Sequence, residues 1–148
     1  SEESLRWHWL EYPMYKGMQT CVRDLNLMYK GNPAFYEEDF DYRGFEWIDH
    51  SNADDSVISY MRKGHNPADY MVVISNFTPV VRHDYRIGVN ENCRYQEIFN
   101  SDDVNYWGSG VKNEGLLTTE EGEWNNKPRS IKVTLPPLST IVLKPVRD

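Results

Sequence analysis

Carboxylates are the commonest side chains able to do chemistry in this 148-residue chain, with 23 Asp and Glu. Two of them flanking a sugar ring could break or remake a glycosidic bond. The densest group is Glu37-Glu38-Asp39-Asp41. A run of like charge is ordinarily a solvated face, so these residues read as a helix end and the turn after it. Asp54-Asp55 and Asp102-Asp103 stand among turn residues, where a short acidic side chain caps its own backbone. His8, His50, His65 and His83 show neither the HExxH nor the HxxxH spacing that would put two imidazoles on one helix face toward a metal. Cys21 and Cys93 are far apart, without a CxxC pair, and read as two buried, reduced thiols instead of a zinc site. There is no GxSxG elbow, and Gly108-Ser109-Gly110 lacks the preceding strand and following Lys of a phosphate loop, so these are turn glycines. The residue types thus imply no cofactor, no metal and no self-sufficient active site.

The tryptophans are the remaining chemistry. An indole is apolar on its faces and polar at one edge, which suits it both to a core and to stacking on a sugar. Trp7 and Trp9 read as core, whereas Trp107 and Trp124 lie in polar stretches and are expected to be exposed. Trp47 alternates with Phe45. Facing inward, the pair would be core or an inter-domain seam; facing outward, Trp47 would be a sugar platform. Trp47 and Trp107 are the candidate sugar contacts.

The elements that must position them follow from apolar spacing. From Tyr12 to Tyr29, Met14, Met18, Cys21, Val22, Leu25 and Met28 recur at three- and four-residue steps, the period of an amphipathic helix. Pro13 suits a first turn, and Gly31-Asn32-Pro33 supplies the stop. A second short helical turn is expected from Ala34 to Glu38. Beyond Asp39–Gly44 the period becomes two. Phe45–Asp49, Ser56–Arg62, Tyr70–Phe77, Tyr85–Val89, Arg94–Phe99, Ile131–Leu135 and Thr140–Leu143 read as strands, with polar turns such as Ser51–Asp55 between them. Tyr70–Phe77 is apolar nearly throughout, as for a strand buried on both faces. Ser101–Lys127 is long and polar and reads as a loop excursion with one small hairpin. The expected fold is mostly β, an antiparallel sandwich over residues 45–148, preceded by a helical leader over residues 1–44. The leader's stripe (Met14, Met18, Val22, Leu25, Met28) must pack on the sandwich, self-associate, or meet something else.

Net charge is −7, which argues against a nucleic-acid partner, since such affinity comes from clustered Lys and Arg. No segment reaches the roughly 20 apolar residues of a membrane helix, and the front shows no secretory pattern; a cytoplasmic protein without a membrane or nucleic-acid partner is expected. The chain opens on Ser1 and Leu5-Arg6-Trp7-His8-Trp9, which reads like a piece of something longer.

Four segments then converge. Val22-Arg23-Asp24-Leu25-Asn26, Gly44-Phe45-Glu46-Trp47-Ile48, Ser75–Val80 with Arg82–Val89, and Thr134-Leu135-Pro136-Pro137-Leu138-Ser139 resemble the C-terminal end of bacterial-type 1,4-alpha-glucan (glycogen) branching enzymes, of the alpha-amylase superfamily. The match runs in order through nearly the whole chain. One departure is Asn105–Gly110, where the family has a Gly-rich stretch. The resemblance implies that residues 1–44 are the tail of a catalytic (β/α)8 barrel and residues 45–148 its all-β C-terminal domain. It implies a transferase that cleaves an α-1,4 linkage and rebuilds it as α-1,6, with retention, on barrel carboxylates that lie upstream of Ser1. No catalytic residue is therefore assigned in this chain, which is expected to be inactive alone. Its implied partners are the N-terminal barrel and α-glucan, with Trp47 and Trp107 as possible glucan contacts. Two rival readings stay open at this point: a stand-alone carbohydrate-binding sandwich module, and the C-terminal domain of a related amylase or debranching hydrolase.

Overall fold

The computed structural model describes residues 2–36, 44–49 and 56–148, with side chains from Lys16 onward in those ranges except Met18 and Tyr36. The acidic group Glu37–Asp41, the turn Ser51–Asp55 and His50 therefore lie outside the described residues. So do the side chains of Trp7, His8, Trp9, Met14 and Met18.

Helix α1 spans Glu2–Gly31 and α2 spans Pro33–Tyr36. The helix thus starts well before Tyr12, and Pro13 sits within it instead of in its first turn. A proline forfeits one backbone hydrogen bond, and a helix of 30 residues has enough continuous bonding on either side to run through that loss. The stop falls where Gly31-Asn32-Pro33 places it. Asn32 Nδ2 donates to the Met28 carbonyl at 2.7 Å, and Phe35 N–H to the Asn32 carbonyl at 3.0 Å, satisfying groups that a helix end leaves open.

Eight strands follow: β1 Phe45–Asp49, β2 Val57–Lys63, β3 Tyr70–Asn76, β4 Arg82–Val89, β5 Arg94–Asn100, β6 Glu120–Trp124, β7 Lys127–Leu135 and β8 Ser139–Val146. They form a five-stranded sheet in the order β1-β2-β3-β8-β5 and a three-stranded sheet in the order β4-β7-β6, with every pairing antiparallel. The hairpin expected within Ser101–Lys127 is made by β6 with β7, so it straddles the end of that stretch.

Every residue of β3 is buried, and the pleat explains how. Alternate side chains point to opposite faces. Val72 and Ile74 join Ile141 and Leu143 of β8 against Ile87, Ile131, Val133 and Leu135 of the smaller sheet. Met71 and Val73 join Phe99 and Val142 on the other face, where Cys21 and Met28 of α1 and Ala34 and Phe35 of α2 cover them. The leader packs on the sandwich through Cys21 and Met28, while Val22, Leu25, Leu27 and Tyr29 stay exposed. Both cysteines are free and partly buried.

Two polar fastenings hold the turns. Arg147 near the end of β8 donates to Glu91 through Nε (2.5 Å) and Nη2 (2.8 Å), and Glu91 Oε1 accepts from the Tyr70 hydroxyl at 2.9 Å. The Tyr70 and Tyr95 hydroxyls lie 2.8 Å apart, and burial pushes the Tyr70 phenol far above its ordinary range. Asn76, 1 % exposed, works as a clip. Its Nδ2 donates to the Val80 and Pro136 carbonyls, both at 2.9 Å, and its Oδ1 accepts from Thr78 N–H (3.0 Å) and Oγ1 (2.7 Å). Four bonds from one amide join the turn after β3 to the turn before β8. Asn76→Ala leaves the buried Pro136 carbonyl and its neighbours without these partners, and is expected to cost about 3 kcal/mol of stability in urea denaturation.

Candidate functional site

Trp47 stands on β1, the edge strand of the larger sheet, directly opposite Tyr60 of β2. Its indole meets Phe45 edge-on at 4.8 Å between ring centroids and Tyr60 at 5.9 Å, while Phe45 stacks on Tyr60 at 5.0 Å. Three rings thus share the helix-covered face of the sheet. Trp47 remains 45 % exposed. Phe45, half-buried, supports Trp47 from the side, and the three rings form one aromatic platform at the sheet edge. Tyr60 also lines a hollow of about 430 Å³ between the helices and the sheet, with Cys21, Leu25, Met28 and Phe35, so the platform adjoins an apolar cleft.

Glu46 points to the opposite side of β1 from Trp47, as alternation requires. Its Oε2 accepts from Lys127 Nζ at 2.8 Å and its Oε1 from Lys63 Nζ at 3.0 Å. Lys127 belongs to β7, so this carboxylate pins the two sheets together directly behind the platform. The hydrogen bond from Lys127, aided by Lys63 and opposed by burial, holds the Glu46 carboxyl below its ordinary value.

Trp107 lies elsewhere. It ends a single 3-10 turn, Val104–Tyr106, with a left-handed φ of 71°, and is 49 % exposed. The loop that carries it is built on Asp102, 7 % exposed, whose carboxylate accepts from Ser109 N–H (3.0 Å), Ser109 Oγ (2.6 Å) and Val111 N–H (3.0 Å). Asp103 caps the 3-10 turn through Asn105 N–H at 2.8 Å. Both acids serve their own loop, as read from their setting among turn residues. Gly108 is required here, because a Cβ would fall 2.0 Å from the Asp102 carbonyl oxygen. The loop also grips α1: the Tyr106 hydroxyl donates to Asp24 Oδ2 at 2.5 Å, and at Gly17 a Cβ would lie 2.7 Å from the Tyr106 carbonyl carbon.

The structure does not bring Trp47 and Trp107 together. One stands on β1 and the other follows β5, the two edges of the five-stranded sheet, about 19 Å apart by strand spacing, with the helices between. Trp124, read from the sequence only as exposed, proves to be a third open indole at 46 %. Its setting was hidden because β6, Glu-Glu-Gly-Glu-Trp, is exposed at every position and so carries no alternation. Among the described residues, no three His, Cys, Asp or Glu gather as a metal-ligand set.

Glu46 gives a pH dependence with a definite sign. Its folded-state value is depressed from 4.5, so the ion pair's contribution is present above the unfolded value and lost as pH falls through the folded one. Glu46→Gln is expected to remove that part of the acid loss. The effect is under about 1 kcal/mol because the carboxylate is partly solvated, and urea denaturation at stepped pH measures it.

The family described as "Alpha amylase, C-terminal all-beta domain" matches residues 47–146. A 1,4-alpha-glucan branching enzyme GlgB of Rubrobacter xylanophilus is 47 % identical over 145 residues, 98 % of this chain and 20 % of that protein. The enzyme of the same name from Halothermothrix orenii is 45 % identical over 99 % of this chain and 23 % of its own length. That of Aquifex aeolicus is 46 % identical over 97 % of this chain and 23 % of its own length. The chain therefore spans about a fifth of the length of these relatives.

Proposed function

The chain belongs to the alpha-amylase C-terminal all-beta domain family and matches the C-terminal region of 1,4-alpha-glucan branching enzymes, and from that premise we propose that it is the non-catalytic end of such a transferase, with Trp47 as a glucan-holding surface. The observation that carries the reading is identity of 45–47 % over almost all of this chain against a fifth of each relative. The proposed reaction is transfer of an α-1,4-linked glucan segment to an α-1,6 position, in the cytoplasm, on groups contributed by a barrel outside these residues. This chain supplies the barrel with a rigid β layer and the α-glucan with an aromatic contact. The open indole of Trp47, propped by Phe45 and Tyr60, has the form that such a contact needs: a fixed apolar plane at a sheet edge, with a polar rim.

Two measurements test this. In an iodine-stain assay on amylose, the 148-residue chain is expected to produce no branching, with activity appearing only when the barrel is present; branching by the chain alone would overturn the assignment of its role. In affinity electrophoresis through glycogen, the chain is expected to be retarded, and Trp47→Ala to weaken retention roughly tenfold, the scale of one lost stacking contact. The substitution should leave the circular dichroism spectrum unchanged, since Trp47 stands at a sheet edge, 45 % exposed and outside the buried core. Unretarded migration of the unsubstituted chain would reduce its role to a structural cap. Trp107→Ala, tested alongside, reports whether the opposite edge contributes.

A further inference from the structure

Another indole on this domain opens onto a different part of its surface and is held by contacts of its own. Trp124 ends β6 where the chain turns through Asn125 and Asn126, both left-handed at φ 50° and 60°, into β7. The turn lies flat on β4. Gly88 permits this, because a Cβ there would stand 2.2 Å from the Trp124 carbonyl oxygen, and Gly88 N–H locks it by donating to Asn125 Oδ1 at 2.8 Å. The indole is oriented at both ends: Nε1–H donates to the Arg86 carbonyl at 3.0 Å, and the Arg86 guanidinium sits 5.5 Å from the ring centroid. Arg86 is itself fixed by Glu120 Oε2 (3.0 Å) and Ser130 Oγ (2.8 Å). An exposed ring so constrained loses little conformational freedom on meeting a ligand, which is how preorganised sites gain affinity.

Around it the surface is concave. Two hollows, of about 580 and 500 Å³, share Asp49, Trp124 and Asn125. The first extends over Ile48, Glu123 and Asn126, the second along β4 past Val80, His83 and Asp84. Together they make one groove with an aromatic plane at its middle and planar amide, carboxylate and guanidinium groups along its sides. Asp49, Asp84 and Glu123 oppose Arg82 and Arg86, so neither sign dominates. Such a lining does not select an ionic partner; it suits a neutral, hydroxyl-rich ligand that is apolar on one face.

We infer that this groove is a glucan subsite distinct from Trp47, in which the Trp124 indole stacks on a glucose unit of an α-1,4-linked chain while Asn125, Asn126 and Asp84 meet its hydroxyls. The choice of an α-1,4 glucan rests on the proposed function; the groove and its suitability for a sugar do not.

The test is titration of the ¹⁵N-labelled 148-residue chain with maltoheptaose, following the indole Nε1–H resonances by NMR, with Trp124 assigned through Trp124→Phe and Trp47 through Trp47→Phe. The Trp124 resonance is expected to shift saturably, in the Trp47→Ala chain as well. Trp124→Ala should weaken maltoheptaose binding at this groove roughly tenfold, and Trp124→Phe, which keeps a ring, by less. If Trp124→Ala does not fold, the titration of the unsubstituted chain decides alone. A Trp47 shift with an unmoved Trp124 resonance overturns this inference and leaves the proposed function standing. A Trp124 shift with an unmoved Trp47 supports the groove and removes the Trp47 contact. If neither moves at saturating maltoheptaose, both fail. An equal shift with cellohexaose, whose linkages are β-1,4, overturns the α-1,4 assignment and marks the groove as a general sugar platform.

Discussion

Strand β3 has no face open to water, and the rest of the molecule is arranged by that constraint. Seven consecutive buried residues need apolar cover on two sides and hydrogen-bonded neighbours on both edges. The smaller sheet supplies one cover and the helices the other, while β2 and β8 supply the edges. Helices α1 and α2 are therefore part of the fold and not appendages: without Met28 of α1 and Ala34 and Phe35 of α2, the Met71 and Val73 side chains would lose their cover. Toward β1 the outer face of the larger sheet ends in aromatics instead of aliphatics. Phe45, Trp47 and Tyr60 can sit half in water because a ring buries one side and presents the other.

The polar interactions divide the labour differently from the apolar ones. Core packing sets which faces meet, but the amide of Asn76 and the carboxylates of Glu46 and Asp102 determine where turns and sheet edges come to rest. Two of these side chains join segments remote in sequence, Asn76 to Pro136 and Glu46 to Lys127, while Asp102 closes its own loop onto Ser109 and Val111. Asn76 stands in one of the segments that carry the family resemblance, and its four hydrogen bonds give that motif a physical reason. A leucine of similar size could fill the volume but could not satisfy the backbone groups it would strand.

Legibility in the sequence followed the strength of the physical signal. A nearly continuous apolar run identified β3 and its double burial, and period two identified most other strands to within a few residues, because each had a buried face to write a pattern. Strand β6 has none, since its pairing with β7 comes from backbone bonds and surface ion pairs such as Arg129 with Glu121, which leave no apolar trace. The start of α1 was obscured because Pro13 is a recognised opening residue and equally a tolerated interior one. Trp47 was singled out by its alternation with Phe45. Trp124 looked like any exposed tryptophan, since what distinguishes it is the approach of its turn to Gly88, a contact between positions 36 residues apart in sequence that no local period records.

The approach of Gly17 to Tyr106 has a mechanical implication. Main chain rests on main chain there with no side chain between to yield, and the Tyr106–Asp24 hydrogen bond closes the same joint a few residues along. A joint of that kind transmits displacement instead of absorbing it. Displacing α1 along the sheet would therefore press directly on the loop that carries Trp107.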